Sequence, residues 1–179
     1  MMTESSISTW GSIASGMHPS QLSEIELLKQ CSVRNERRSG PGGQHRNKVE
    51  TAVVVTHERS NIQGDAAESR DRIRNQKQAV FRLRLNLALG VRQPWAKPSE
   101  LWNSRLRESK LGINSAHADF PALLAEALDA LESHEHNLPE SANRLGTTAS
   151  QLVKLFQKHP PALLQVNRLR EQLGLRKLK

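Results

Sequence analysis

Apolar residues recur with two different periods along this chain, and the change of period separates a mixed N-terminal part from a helical C-terminal part. Residues 52–57, Ala-Val-Val-Val-Thr-His, are apolar and β-branched, which predicts a buried strand. Residues 32–39 predict a short polar strand that runs into a loop, and residues 61–64 predict a turn into a short return strand. From residue 66 to residue 89 apolar side chains recur at helical spacing, which predicts a long helix that ends at Gly90.

Beyond residue 90 the apolar pattern is helical. Glycine and prolines between residues 90 and 100 predict a linker. Gly146 has the spacing expected of the turn in a helix-turn-helix, but a plain helical bundle explains the same spacing and is the simpler interpretation. Four predicted helical stretches follow the linker, at residues 120–131, 140–145, 149–158 and 162–173.

Together these elements predict an α+β fold in four parts. Residues 1–18 are small and polar without a period, which predicts a disordered arm. Residues 19–90 predict a small α+β domain, in which a sheet of few strands accompanies the long basic helix. Residues 91–118 predict the linker, and residues 119–179 predict an all-helical domain with a basic C-terminus.

Basic residues outnumber acidic ones, and their excess is concentrated in the middle of the chain. The formal net charge is +8, made up of −2 over residues 1–30, +7 over residues 31–92 and +3 over residues 93–179. This balance predicts a polyanionic partner, either a nucleic acid or an acidic membrane surface, with a merely solvated basic surface as the alternative. Three basic residues of the predicted long helix are spaced to share one face and form a candidate RNA-binding row. These residues are Arg70, Arg74 and Lys77.

Other features of the composition exclude several classes of protein. Cys31 is the only cysteine, which excludes an internal disulfide and a multi-cysteine zinc site and indicates a reducing compartment. No apolar run approaches the length of a membrane span, and residues 1–17 lack the Lys or Arg of a secretory or transit signal. We therefore expect a cytoplasmic protein without membrane contact. His134 and His136 are two positions apart and do not share a helix face, so we expect no metal site. We also expect no organic cofactor.

Residues 39–44, Ser-Gly-Pro-Gly-Gly-Gln, are suited to neither helix nor strand. Gly42 and Gly43 leave their backbone N–H groups bare of side chains, so this segment can approach another backbone closely. The backbone N–H of Gln44 can then face negative charge that develops in a transition state, as in an oxyanion hole. A glycine-rich turn without chemistry is the alternative. The flanking candidates for RNA binding are Arg38, His45, Arg46, Asn47 and Lys48.

The surroundings of this tripeptide resemble the catalytic domain of class I peptide-chain release factors. The resemblance spans roughly residues 32–90 and is most specific over residues 39–48. It implies that Gly42, Gly43 and Gln44 enter the peptidyl transferase centre and promote attack of water on the ester that joins peptide to tRNA. It also implies that the Gln44 side chain is a methyltransferase substrate. The implied partners are the ribosome, through its ribosomal RNA, and peptidyl-tRNA.

The sequence departs from this family at several positions. Arg46 stands where the family usually has an apolar residue. Asp71 and Arg72 stand where the family has Ser-Gln, and Asn75 matches the Asn that follows that pair in the family. Few residues precede the tripeptide, and neither codon-reading tripeptide of the family, Ser-Pro-Phe or Pro-x-Thr, is present. The chain is therefore most similar to small, codon-independent ribosome-rescue factors. The competing interpretation is a non-enzymatic RNA- or DNA-binding protein that uses the long basic helix and the helix-turn-helix-like segment.

Overall fold

The computed structural model describes residues 17–37 and 51–179, and its first part is a three-stranded antiparallel sheet packed against one long helix. The strand order in the sheet follows the chain. The elements of this part are a 3-10 turn at Pro19–Gln21, α1 at Glu24–Leu28, β1 at Cys31–Glu36, β2 at Ala52–His57, β3 at Ile62–Ala66 and α2 at Arg72–Gly90.

The central strand β2 supplies much of the core of this part because its residues are apolar and β-branched. Val53 and Val55 are fully buried and belong to one cluster with Leu83 and Leu87 of α2. Val55 lies opposite Gly64 of β3 in the register of the sheet. A Cβ atom at Gly64 would overlap the backbone of α2, so only glycine lets the helix lie this close to the sheet.

A group of helices around one buried helix forms the second part. Its elements are α3 at Glu100–Arg105, β4 at Leu106–Arg107, β5 at Lys110–Leu111, α4 at Phe120–Ser133, α5 at Leu138–Arg144, α6 at Ala149–Gln157 and α7 at Pro160–Gln172. Every residue of α4 from Phe120 to Leu131 is buried, and this helix contacts α2, α5 and α6. In the part of the chain that the structure describes, no helix combines the length and the apolar character needed to cross a membrane.

The α+β fold predicted from the sequence is confirmed, with shifts at the ends of several elements. The long helix begins at Arg72 rather than at residue 66, because residues 62–66 form β3 and Asp71 caps the helix by accepting the Ile73 N–H at 2.8 Å. Helices α5 and α7 begin earlier than predicted, because Pro139 and Pro160 occupy the first turn, where a proline costs no hydrogen bond.

Regular structure occupies part of the segment 91–118, which was predicted to be a linker. It contains α3 and the β4–β5 hairpin, and Trp102 of α3 is fully buried in the helical core. The Trp102 indole N–H donates to the carbonyl oxygen of Leu145 at 2.8 Å. Trp95 is partly buried and meets the ring of His134 edge-on. Both tryptophans therefore pack this segment onto the helices, while the division into domains stays a prediction.

Candidate functional site

The tripeptide singled out by the sequence lies outside the described residues, together with its flanks. The described chain stops at Arg37 and resumes at Thr51, so the structure describes the two ends at which the intervening segment joins the sheet. The candidate residues between these ends are Gly42, Gly43, Gln44, Arg38, His45, Arg46, Asn47 and Lys48.

Strand pairing brings the two ends of this segment together. Strands β1 and β2 are antiparallel, and Glu36 at the end of β1 lies opposite Ala52 at the start of β2. Arg34 forms an ion pair of 2.7 Å with Glu36 at this end of β1. The described chain therefore leaves the sheet after Glu36 and returns to it at Ala52, at the same end of the β1–β2 pair.

Asn75 in the first turns of α2 fixes the returning end. Its side-chain N–H groups donate to the carbonyl oxygens of Thr51 at 2.6 Å and Ser69 at 2.8 Å. Its side-chain oxygen accepts the Ser69 N–H at 2.9 Å. The residue is only 1% exposed, and both donors of its amide are used. Asn75 thereby joins three pieces of chain, the residue after the Gly-Gly-Gln segment, the bend before α2 and α2 itself.

Sequence reasoning noted Asn75 only as a match to the family and gave it no role. A signal was nevertheless present, because asparagine has low helix propensity and is favoured where its side chain binds backbone groups. The partner Thr51 lies 24 positions away along the chain. The spacing of residues along one helix therefore could not reveal the contact.

Exposed cations surround the same end of α2. Arg72, Arg74 and Lys77 are exposed in its first turns, and Arg70 is exposed in the bend before it. The prediction that Arg70 continues the helical row of Arg74 and Lys77 is wrong, because the cap at Asp71 places Arg70 before the helix. The Arg74 side chain is 81% exposed and its Nε lies 3.6 Å from the Asp71 carboxylate. The partial positive charge at the N-terminal end of α2 thus adds to that of these exposed cations, at the same end of the helix as Asn75.

Two further arginines of α2 have structural roles. Arg82 donates to the carbonyl oxygen of Asp65 at 2.7 Å and pairs with Glu68 at 2.7 Å, which ties the helix to β3 and the bend after it. Arg84 donates to the carbonyl oxygen of Ser20 through two nitrogens at 2.7 and 2.9 Å. Burial lowers the pKa of Arg84. The cations free to meet a polyanion are therefore concentrated in the N-terminal half of the helix.

His57 at the end of β2 is also structural. It is fully buried, with Nδ1 at 2.7 Å from the Ser60 hydroxyl and Nε2 at 3.4 Å from the Gln30 side-chain oxygen. Burial lowers its pKa, which favours the neutral ring. This geometry favours the hydrogen-bonding role over contact with RNA phosphate. Across residues 17–37 and 51–179, no three His, Cys, Asp or Glu side chains are placed to share a metal ion.

Comparison with known proteins gives consistent similarities. Residues 23–118 match the family model described as the RF-1 domain. Peptide chain release factor 1 of Chlorobaculum tepidum is 27% identical over 154 residues, which cover 83% of this chain and 38% of that protein. Peptide chain release factor 1 of Chloroherpeton thalassium gives the same identity and coverage. Peptide chain release factor 1 of Malacoplasma penetrans is 35% identical over 83 residues, 45% of this chain and 21% of the relative.

The chain thus spans 38% of the length of the first two relatives. The matched range begins just before α1 and ends just before α4. It includes the sheet, α2 and the segment 91–118. No solved structure matches the chain significantly.

Proposed function

The chain belongs to the RF-1 domain family, and from this premise we propose that it hydrolyses the ester bond of peptidyl-tRNA on the ribosome. The observation that carries the proposal is the Gly42-Gly43-Gln44 tripeptide, which lies within the matched range on the connection between β1 and β2. The relatives are named as peptide chain release factors, and that name supports the same chemistry.

The proposed chemistry uses the backbone of the tripeptide. Water attacks the ester carbonyl carbon, the carbonyl oxygen gains negative charge, and the backbone N–H of Gln44 donates to that oxygen in the transition state. The bond to the tRNA ribose oxygen then breaks, that oxygen takes the proton from the attacking water, and the peptide leaves with a free carboxyl group. Ribosomal RNA and the tRNA supply the walls of the pocket, so the protein contributes mainly a positioned donor.

Two features at the N-terminal end of α2 support this role. Asn75 holds Thr51 against α2, which fixes one end of the segment relative to a rigid helix. The exposed cations Arg70, Arg72, Arg74 and Lys77 suit a pocket lined with RNA phosphates. Rigid attachment and electrostatic affinity are thus supplied by different residues, and mutation can separate them.

We further propose that release needs no stop codon. The 179 residues contain neither of the family's codon-reading tripeptides, Ser-Pro-Phe and Pro-x-Thr. Release should therefore proceed at similar rates whether the ribosomal A site is empty or holds a stop codon. A strong requirement for the stop codon would refute this part of the proposal and leave the hydrolysis itself standing.

The test of hydrolysis is Gly43→Ala, assayed on ribosomes that carry labelled peptidyl-tRNA. A Cβ at this position obstructs the close approach of the backbone, so we expect release to fall by about 100-fold or more. Sedimentation with ribosomes should stay near that of the parent, because the cations are unchanged. The matched control is Gly112→Ala, since a Cβ at Gly112 meets no atom within 4 Å. Unchanged release in Gly43→Ala would contradict the enzymatic proposal and favour the non-enzymatic nucleic-acid-binding alternative.

A further inference from the structure

The β4–β5 hairpin is a feature of the helical part that peptide release does not use. Its two-residue turn consists of Glu108 and Ser109, with φ of 47° and 61°. Two successive left-handed residues are the geometry of a type I′ turn, in which Asn-Gly is the usual pair. Side chains with a Cβ disfavour this region, so the fold maintains a turn that its local sequence opposes.

Tertiary contacts hold the hairpin against the turn between α5 and α6. The Thr147 hydroxyl donates to the carbonyl oxygen of Ser109 at 2.6 Å, and Leu111 of β5 is buried in the helical core. At the other end of α6, the Lys158 ammonium donates to the carbonyl oxygen of Ile113. Strand β5 and the residues after it therefore run alongside α6, from its N-terminal cap to its C-terminal end.

Four cations lie on the hairpin and on the adjoining helix, with Arg107 opposite Lys110 in the hairpin, Lys154 on α6 and Lys158 directly after it. We call this region the hairpin–α6 surface and define it by Arg107, Lys110, Lys154 and Lys158. All four residues are exposed. Lys154 and Lys158 are four positions apart and share one face of α6, the face that reaches Ile113. Within the described ranges, Arg107, Lys110 and Lys154 form no ion pair with a carboxylate, although Glu108 lies at the tip of the hairpin.

The character of the surface fits a polyanion better than an apolar partner. Among the described residues, none of the exposed large apolar side chains lies on the hairpin or on α6. The first turn of α6 contains no acidic residue, and its N-cap Thr148 is exposed. Gly146, with φ of 69°, makes the turn between α5 and α6 at the spacing of a helix-turn-helix. Exposed cations and hydroxyl groups are the groups that proteins direct at phosphates.

We propose that the hairpin–α6 surface binds the phosphate backbone of a helical RNA, as a second nucleic-acid interface apart from the Gly-Gly-Gln segment. The choice of RNA rests on the proposed function, which places the chain on the ribosome. The surface itself rests on the contacts and charges described above. A second interface of this kind would hold the helical part on RNA, while the Gly-Gly-Gln segment binds separately in the pocket that contains the peptidyl-tRNA ester.

The test measures binding of the full chain to a labelled RNA duplex of about 16 base pairs, the length that a double-stranded RNA domain spans. Fluorescence anisotropy is followed at several salt concentrations. The variant combines Arg107→Gln, Lys110→Gln and Lys154→Gln, and leaves Lys158 in place because its ammonium holds Ile113. We expect affinity to fall about tenfold or more near 0.1 M salt, and the log–log salt slope to become shallower by about two to three units.

The matched control removes the same charge from cations that are already paired. It combines Arg34→Gln, Arg144→Gln and Lys177→Gln, whose partners are Glu36, Glu140 and Glu171. We expect the control to bind nearly as the parent does. Equal losses in the two triple variants, or no binding of the duplex by the parent, would overturn the proposal.

Two further comparisons complete the test. Glu108→Asn with Ser109→Gly gives the turn its preferred residues, removes the acid at the tip and keeps every cation, so we expect binding at least as tight as that of the parent. Weaker binding by this correctly folded variant would contradict the role of the hairpin. A DNA duplex of the same sequence should bind more weakly than the RNA, and equal or tighter DNA binding would overturn the choice of RNA. Because the experiment measures RNA binding and not peptide release, its results can be interpreted even if the proposed hydrolysis is wrong.

Discussion

The Asn75 amide uses both of its N–H groups and its oxygen, and all of its partners are backbone atoms outside α2. Asn75→Ala removes these bonds and leaves partly buried backbone groups of Thr51 and Ser69 without their partner. We expect the free energy of unfolding to fall by roughly 1–3 kcal/mol, since a buried unsatisfied group costs about 1–3 kcal/mol, these groups are only partly buried and such costs do not add fully. Urea denaturation of variant and parent measures this difference.

An exposed neighbour on α2 provides the control for that change. Lys77→Ala alters the same helix without removing a buried partner, so its stability should stay within about 0.5 kcal/mol of the parent. Equal urea midpoints for Asn75→Ala and Lys77→Ala would show that the Asn75 contacts contribute nothing. Loss of stability together with loss of peptide release would instead tie the attachment of the Gly-Gly-Gln segment to its function.

Between elements, β3 passes close under α2 at Gly64. A Cβ at Gly64 would lie 2.7 Å from the Leu83 Cα and would also overlap the Ala79 carbonyl oxygen. These are backbone atoms of a helix, which move only if the helix moves. Gly64→Ala should therefore lower the free energy of unfolding by about 3 kcal/mol, at the upper end of ordinary overpacking. Gly112→Ala is the control, and it should change stability by less than about 1 kcal/mol. Thermal unfolding of the two variants under one condition compares them, and similar melting temperatures would contradict the packing argument.

Elements whose signal is local were predictable from the sequence. The apolar run of β2 and the helical spacing of α4, α6 and α7 each fix an element through neighbouring residues alone. The helix and the hairpin within the segment 91–118 were not predicted, because Pro94 and Pro98 signal irregular structure locally. Trp102 is nevertheless held by Leu145, 43 positions away. The start of α2 was misplaced for a related reason, since pairing with β2 makes residues 62–66 a strand.

The candidate site divides in the same way. The Gly-Gly-Gln tripeptide and the excess of basic residues are visible in the sequence. Which basic residues of α2 stay exposed and which bond to other parts of the chain is not. Arg82 and Arg84 carry the same charge as Arg74, yet they are committed to Asp65 and Ser20 through long-range contacts. Which cations face solvent is decided by the packing of α2 on the sheet and on the N-terminal turn.

At the scale of the whole molecule, the turn after α2 joins three segments through buried polar groups. Arg92 donates to the last carbonyl groups of α2 and lies 3.8 Å from Asp129 of α4. The Gln93 N–H donates to the Asp129 carboxylate at 3.1 Å. His18 of the N-terminal segment hydrogen-bonds the Val91 carbonyl oxygen through Nε2 at 3.3 Å. The sheet part and the helical part therefore meet at a polar layer that contains His18, Arg92 and Asp129.

Burial shifts the pKa values of His18 and Asp129 in opposite directions. Desolvation lowers the pKa of His18 to about 4, and the neutral ring accepts the Ser20 N–H through Nδ1. Desolvation raises the pKa of Asp129 to about 7, because Arg92 lies beyond hydrogen-bonding distance and offsets only part of the cost of burying the charge. The other charged or titratable groups that act on them are His57, Glu126 and Glu132.

Between pH 7 and pH 4 the two groups should change the free energy of unfolding in opposite directions. The unfolded chain protonates His18 near its ordinary pKa of 6.5 while the fold keeps it neutral, so its contribution to stability falls as pH falls. The fold keeps Asp129 protonated up to about pH 7 while the unfolded chain ionises it near 3.8, so its contribution rises as pH falls. Asp129→Asn should therefore lose stability on acidification more steeply than the parent, and His18→Gln less steeply. Urea unfolding at several values between about pH 4.5 and 7.5 measures the slopes. Three parallel curves would show that neither group changes its protonation between the folded and unfolded states, and reversed slopes would contradict the assigned directions.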